Sequence, residues 1–146
     1  MTDNMLEIAK LAVATAQKKG AQEAAASTEK DREVEVQWRD GKLEKISEAT
    51  TRGLNMSLYV DGRYSAVSTS DLRPAAVEKF IDTAIAMTRT LAKDPYRSLA
   101  DPQLYAGQSK IDLQIEDAKY DGVTAADRRR IAEEIEAGAR QAKGKE

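Results

Sequence analysis

Glu33-Val34-Glu35-Val36-Gln37-Trp38-Arg39-Asp40-Gly41 and Leu54-Asn55-Met56-Ser57-Leu58-Tyr59-Val60-Asp61-Gly62 decide the fold. In the first, Val34, Val36 and Trp38 alternate with Glu33, Glu35 and Gln37. In the second, Leu54, Met56, Leu58 and Val60 alternate with polar or aromatic neighbours. A period of two is that of a half-buried strand. Each run ends in Asp-Gly, which supplies the positive φ angles of a type I′ hairpin turn. The reading is an antiparallel sheet with two Asp-Gly hairpins.

Working outward, Lys42–Thr50 alternates poorly, because Leu43 and Ile46 have opposite parity. A bulge between them would place both on one face. Arg63–Thr69 returns as a further strand. Ala21–Thr28 is read as another, although alanine is a poor strand former. The charged stretch Ser27–Asp31 should turn or bulge there.

Helices flank the strands. Over residues 3–19, Leu6, Ala9, Val13 and Ala16 fall at helical spacing, widened by Met5, Ile8 and Ala12. Thr2 or Asp3 can cap the start, and Gly20 suits the position after the end. Pro74 opens a second helix, in which Val77, Phe80, Ile81, Ala84, Ile85, Thr88 and Leu91 share one face and which should stop before Pro95. A third helix covers Thr124–Gln141, with Thr124 and Asp127 as a capping box. Its stripe, Ile131, Ile135, Ala139 and Ala142, is thin and suggests an absent neighbour. The tail Lys143–Glu146 carries no structural signal.

The fold expected is therefore α+β in two layers, in the order α-β-β-β-β-β-α-α. Four or five antiparallel strands are covered by the first two helices, and all of residues 1–146 form a single domain. Trp38, Met56, Leu58, Phe80 and Ile81 should share one core.

Composition excludes several functions. The 146 residues carry 23 Lys and Arg against 25 Asp and Glu, a net charge of −2. A dedicated nucleic-acid binder needs a basic excess, because phosphate neutralisation supplies most of its affinity. The chain has no Cys and no His. That removes disulfides, thiolate chemistry, Ser-His pairs and His-ligated metals. No apolar run approaches the roughly 18 residues of a membrane span, and no signal-peptide pattern opens the chain. A soluble cytoplasmic protein is expected.

The remaining clusters have ordinary explanations. Arg128-Arg129-Arg130 reads as a solvated helix face balanced by Glu133, Glu134 and Glu136, through pairs such as Arg129 with Glu133. Asp112, Glu116, Asp117 and Asp121 match no Ca²⁺-loop spacing and read as a charged surface. The connection over residues 93–123 contains two turn formers, Asp94-Pro95-Tyr96 and Asp101-Pro102. A connection of this length is either a packing strap or functional, and with no reactive cluster in it the strap is preferred.

Order and spacing of several strings resemble the N-terminal domain of the TldD/PmbA family, in its PmbA (TldE) branch. They are Val36-Gln37-Trp38-Arg39-Asp40-Gly41-Lys42-Leu43-Glu44, Arg52-Gly53-Leu54, Tyr59-Val60-Asp61-Gly62-Arg63 and Ser68-Thr69-Ser70-Asp71-Leu72. Lys93-Asp94-Pro95-Tyr96 and Leu99-Ala100-Asp101-Pro102 continue the likeness. Tyr64-Ser65, where the family often has glycine, and Ala100, where proline is common, depart from it.

The resemblance implies a cytoplasmic bacterial or archaeal protein linked to peptide processing, of the microcin-maturation and antitoxin-proteolysis kind, under the older label of modulators of DNA gyrase. It implies a larger C-terminal domain beyond this stretch, and a TldD-like partner subunit holding zinc in a His-Glu-x-x-x-His motif. On this chain it implies no catalytic residue, no metal ligand and no cofactor. Peptide substrate would be met through the assembly, with no direct contact to nucleic acid or membrane. Asp94, Pro95, Tyr96, Asp101 and Pro102 are the expected partner-interface loop. The rival readings are a stand-alone peptide- or protein-binding module, perhaps working at a sheet edge, and, less favoured, a carboxylate-based hydrolase.

Overall fold

The computed structural model describes residues 2–105, 107, 109 and 111–142, with the side chains of Thr2, Asp3 and Tyr105 excepted. The capping of the first helix by Thr2 or Asp3, and the tail Lys143–Glu146, lie outside that description. Helix α1 spans Thr2–Lys18, strand β1 Glu23–Arg39, β2 Lys42–Val60, β3 Arg63–Thr69, helix α2 Pro74–Thr88 and α3 Ala125–Ala142. Single 3-10 turns occupy Pro102–Tyr105 and Tyr120–Gly122. The chain forms two compact units, one of residues 1–31 and 50–107, the other of residues 32–49 and 108–146.

The fold is α+β, with an antiparallel sheet and three helices. Among the described residues the sheet has three strands in the order β1-β2-β3, not four or five. The segments around Ala21–Thr28 and Glu33–Trp38 run as one strand, because the charged stretch Ser27–Asp31 stays extended instead of turning. Lys42–Thr50 likewise continues into Leu54–Val60. Leu43 and Ile46 are both exposed, at 38% and 49%, so no apolar face gathers them.

The first unit holds the core. β2 pairs with β3 from Leu54↔Thr69 to Val60↔Arg63. Leu54, Met56, Leu58 and Val60 all point one way and are buried. Against them lie Ala12 and Ala16 of α1, and Val77, Ile81, Ala84 and Ile85 of α2. Alanine on α1 leaves little side-chain thickness and lets the helix approach closely. Phe80 is only partly buried at the edge of this cluster. Trp38 is not among these residues; it belongs to the second unit. Parity along β1 assigned its face, but a strand of 17 residues outruns one helix layer.

Local chemistry fixes the helix ends. Gly20 takes φ 106°, and the bonds Ala21 N–H to Ala16 O (3.0 Å) and Gly20 N–H to Gln17 O (3.1 Å) close α1 in a Schellman turn. Pro74 begins α2, which ends at Thr88, well before Pro95, leaving Leu91 46% exposed. Buried Thr88 gives its hydroxyl to Ala84 O at 2.7 Å and sits 2.6 Å from Ser65 Oγ of β3. A fully buried hydroxyl needs such partners. On the surface Lys19 Nζ reaches Asp82 at 2.7 Å and Glu78 at 3.3 Å, joining the end of α1 to α2.

Ile81 is fully buried between helix and sheet. Ile81→Ala should destabilise the chain by about 2–5 kcal/mol, the range for truncating a packed aliphatic side chain. Phe80→Ala should cost less than that, since its ring is partly in water already. Denaturant titration of the two variants, followed by circular dichroism, would show the ranking.

Candidate functional site

Both Asp-Gly dipeptides turn with positive φ, 51° and 72° at Asp40-Gly41, and 52° and 70° at Asp61-Gly62. That conformation aims turn N–H groups outward, and side chains from elsewhere collect them. At Asp61-Gly62 the Asp61 N–H donates to Gln22 Oε1 at 2.8 Å, and Gln22 Nε2 returns to Asp61 Oδ1 at 3.3 Å. Arg89 Nε approaches Asp61 Oδ2 at 3.2 Å, and Arg63 donates to Asp61 O and Leu91 O, each at 2.9 Å.

The loop from Asp94 to Pro102 starts at this same turn. Asp94 N–H donates to Gly62 O at 2.9 Å, and Asp94 Oδ1 accepts Tyr96 N–H at 3.1 Å. Pro95 follows Asp94, and Tyr96 is 95% exposed. Arg97 lies over the ring of Tyr64, 4.4 Å from its centre, and Tyr64 meets Tyr59 at 5.1 Å. Leu99 N–H donates to Glu23 Oε2 at 2.9 Å, tying the loop to β1. Asp101 Oδ1 accepts Gln103 N–H at 2.9 Å, and Pro102 opens the 3-10 turn. The loop is thus strapped to its own unit at both ends and presents Tyr96 between them.

The second unit is organised around Asp40-Gly41. Glu136 of α3 accepts both turn amides, Asp40 N–H at 2.6 Å and Gly41 N–H at 2.9 Å. Arg140, one turn further along α3, bridges Asp40 at 2.7 Å and Glu136 at 3.0 Å. Arg129 lies over Trp38, 5.2 Å from the ring centre. The buried Nε1 of Trp38 has no hydrogen-bond partner among the described residues. Cavities of about 390 Å³ and 560 Å³ run beside this contact, both bordered by Trp38 and Glu136.

No residue of α3 is buried. The thin apolar stripe stays largely uncovered, as its lack of a neighbour predicts: Ile131 is 45% and Ile135 67% exposed, and Ile135 and Ala139 only border the wider cavity beside Trp38. The less exposed positions are Asp127, in the capping box, and Arg128, Ala132 and Glu136, the last three an i, i+4, i+8 ridge. Directional bonds to the turn, not apolar area, therefore set the helix's rotation. The arginine run is correspondingly not one solvated face. Arg128 donates to Val123 O at 2.5 Å and lies 5.8 Å from the Tyr120 ring centre, and Arg130 pairs with Glu134 at 2.9 Å. The capping box is present, with Thr124 Oγ1 2.6 Å from Asp127 Oδ2 and Asp127 N–H 3.2 Å from Thr124 Oγ1.

Asp112 and Asp117 spend carboxylate oxygens on Gln114 N–H (2.9 Å) and Lys119 N–H (2.8 Å). Among the described residues no group of three or more acidic side chains is placed to hold a metal ion, and the chain has no His or Cys. The residues present do not fit a zinc centre. No described helix is long and apolar enough to cross a membrane.

Residues 24–88 match the family model described as PmbA/TldA metallopeptidase domain 1. The chain carries the N-terminal domain of the TldD/PmbA family. A crystal structure from Bacteroides thetaiotaomicron, of a proposed modulator of DNA gyrase, superposes with a TM-score of 0.84 at 36% identity. That likeness covers 91% of this chain and 30% of the solved one. No curated protein matches the chain. In this TldD/PmbA domain the matched stretch includes β2, β3 and α2, and also both Asp-Gly turns.

Sequence reasoning missed the Glu136 clasp. Glu136 and Arg140 stand four apart on one helix edge, which by itself suggests only a pair with each other. The Gly41 N–H first, then Arg140 and the Asp40 N–H, hold the Glu136 carboxyl below its ordinary value of 4.5. The clasp therefore adds full stability above pH 4.5, and that contribution is lost as pH falls through the lowered folded-state value. Trp38 is the sole tryptophan, so its emission reports α3 docking. Glu136→Gln should shift that emission at neutral pH, and the difference from the parent chain should shrink as acid protonates Glu136. Identical spectra at neutral pH would show that Glu136 does not hold α3.

Proposed function

We propose that this domain is the non-catalytic N-terminal part of a PmbA/TldE-like subunit, working with a TldD-like subunit in a peptidase assembly. The match of residues 24–88 to a metallopeptidase family domain carries the reading. The chemistry of the chain supports it, since a peptidase centre built here would have to work without His, Cys or a clustered set of acids. Peptide-bond hydrolysis, with zinc, then falls to the partner, and this domain supplies surface. The strapped loop with Asp94, Pro95, Tyr96, Asp101 and Pro102 is the part best suited to that task. Tyr96 offers an aromatic ring, already in water, on a backbone fixed at Gly62 and Glu23. An exposed aromatic on a rigid base is a good anchor for a partner.

The substrates are peptides met inside the assembly, of the kind processed in microcin maturation, in the cytoplasm. The modulator-of-gyrase name belongs to the solved relative. Under this reading it reflects a downstream effect of peptide processing and not contact with DNA.

The test is co-expression with a TldD-like subunit. The two should copurify, zinc should follow the TldD-like chain, and peptide cleavage should need that chain. Tyr96→Ala should weaken the pairing roughly tenfold or more, as removal of an aromatic anchor does. Stoichiometric zinc or peptidase activity on this chain alone would overturn the proposal, and copurification unchanged by Tyr96→Ala would remove the loop from it.

A further inference from the structure

The two Asp-Gly dipeptides form the same kind of turn but are guarded in different ways. At Asp61-Gly62 the carboxylate itself is tethered: Oδ1 accepts from Gln22 Nε2 at 3.3 Å and Oδ2 from Arg89 Nε at 3.2 Å. Gly62 O also accepts the Asp94 N–H at 2.9 Å, so the peptide beyond the turn is fixed as well. All these partners belong to the unit built around buried aliphatics. At Asp40-Gly41 the carboxylate is looser. Its side chain is 80% exposed, against 49% for Asp61, and among the described residues only Arg140 bonds it. What is held there is nitrogen: the Gly41 and Asp40 N–H groups both donate to Glu136.

An aspartyl carboxyl followed by glycine can close on the next backbone nitrogen, because glycine has no side chain to hinder the approach. Closure needs that nitrogen to turn toward the Asp Cγ. Glu136 instead holds the Gly41 N–H against α3, and with it the peptide plane. We propose that Asp40-Gly41 is an isomerisation site with α3 as its guard. When α3 lifts, the Gly41 nitrogen attacks Cγ of the protonated Asp40 carboxyl. An N–C bond forms, a C–O bond breaks, and the carboxyl OH leaves with the amide hydrogen as water. Water then opens the succinimide ring. Opening at the side-chain carbonyl restores aspartate. Opening at the main-chain carbonyl breaks the original peptide C–N bond and leaves the chain running through the β-carboxyl. Nothing is oxidised or reduced, and the water lost is regained.

The isoaspartyl product carries an extra methylene in the backbone of the turn. A two-residue turn of this type has a set length and twist, so the two amides no longer meet Glu136 together. A reversible opening of α3 thereby becomes a lasting one. The site does not depend on the proposed partner subunit.

Ageing of the whole chain at neutral pH and physiological temperature tests it. Isoaspartate is measured by methyl transfer from an isoaspartate-specific methyltransferase and located by peptide fragmentation. A peptide of residues 36–44 gives the unguarded rate. Asp40 should react more slowly than in that peptide, and Asp61 more slowly still. Glu136→Ala, which keeps a good helix former in α3, should raise the rate at Asp40 about tenfold, as loss of hydrogen bonds to a charged group does. Arg140→Ala should raise it about two- to fivefold, the scale of an exposed ion pair. Neither variant should change the rate at Asp61, which also reports that the first unit stays folded. The proposal is overturned by Asp61 reacting before Asp40, by equal acceleration at both dipeptides, or by a rate at Asp40 indifferent to both variants. A slower rate in Glu136→Ala would also overturn it, since the carboxylate would then promote closure.

Discussion

Everything in the first unit depends on one face of one strand. Leu54, Met56, Leu58 and Val60 of β2 are buried in succession, and β2 has a strand on either side. Each of these side chains stabilises by about 1.5–3 kcal/mol on leaving water. Burial of a face also sets register, because a slip of one residue would turn all four side chains outward. With β2 fixed, the two-residue turn fixes β3, and the serine of β3 fixes the end of α2 through Thr88. The Asp61-Gly62 turn inherits this rigidity and passes it to the loop that begins at Asp94.

The second unit is held differently. It has no buried residue in α3, and its contacts are a carboxylate on two turn amides, an arginine across the same turn and a guanidinium on an indole. Such bonds are directional, so they orient α3 well. Exposed ion pairs are each worth little, and salt and acid weaken them. The same dipeptide thus serves two kinds of packing, one anchored by apolar burial and one by charge. A two-stranded ribbon is marginal alone, and α3 is the element that covers this one.

What was legible follows from where a local rule had no rival. Strand parity in β2, the proline at the start of α2, Gly20 after α1 and the Thr124–Asp127 box are all short-range signals, and the fold uses each. Strand count was not legible. Whether Ser27–Asp31 turns or stays extended depends on its being paired, and pairing partners are distant in sequence. The rotation of α3 was not legible for a related reason. Its thin apolar stripe named no neighbour within the chain, and Glu136 found two turn amides about a hundred residues away. The candidate loop was found through family strings, since Asp94, Tyr96 and Asp101 carry no chemistry that residue type alone would single out.

The two kinds of packing suggest how such a domain can serve a larger assembly. A unit fixed by buried aliphatics is little affected by salt or mild acid, and the Asp94–Pro102 loop is tied to it at Gly62 and Glu23. A helix fixed by exposed charge can leave its site at small cost when a better partner arrives. It would then uncover Val36 and Trp38, the apolar part of the ribbon beneath it. Recognition by the first is a matter of shape, because its backbone is already held. Recognition at the second is a competition, in which an incoming group must replace the Glu136 carboxylate at the turn and the Arg129 guanidinium on the indole.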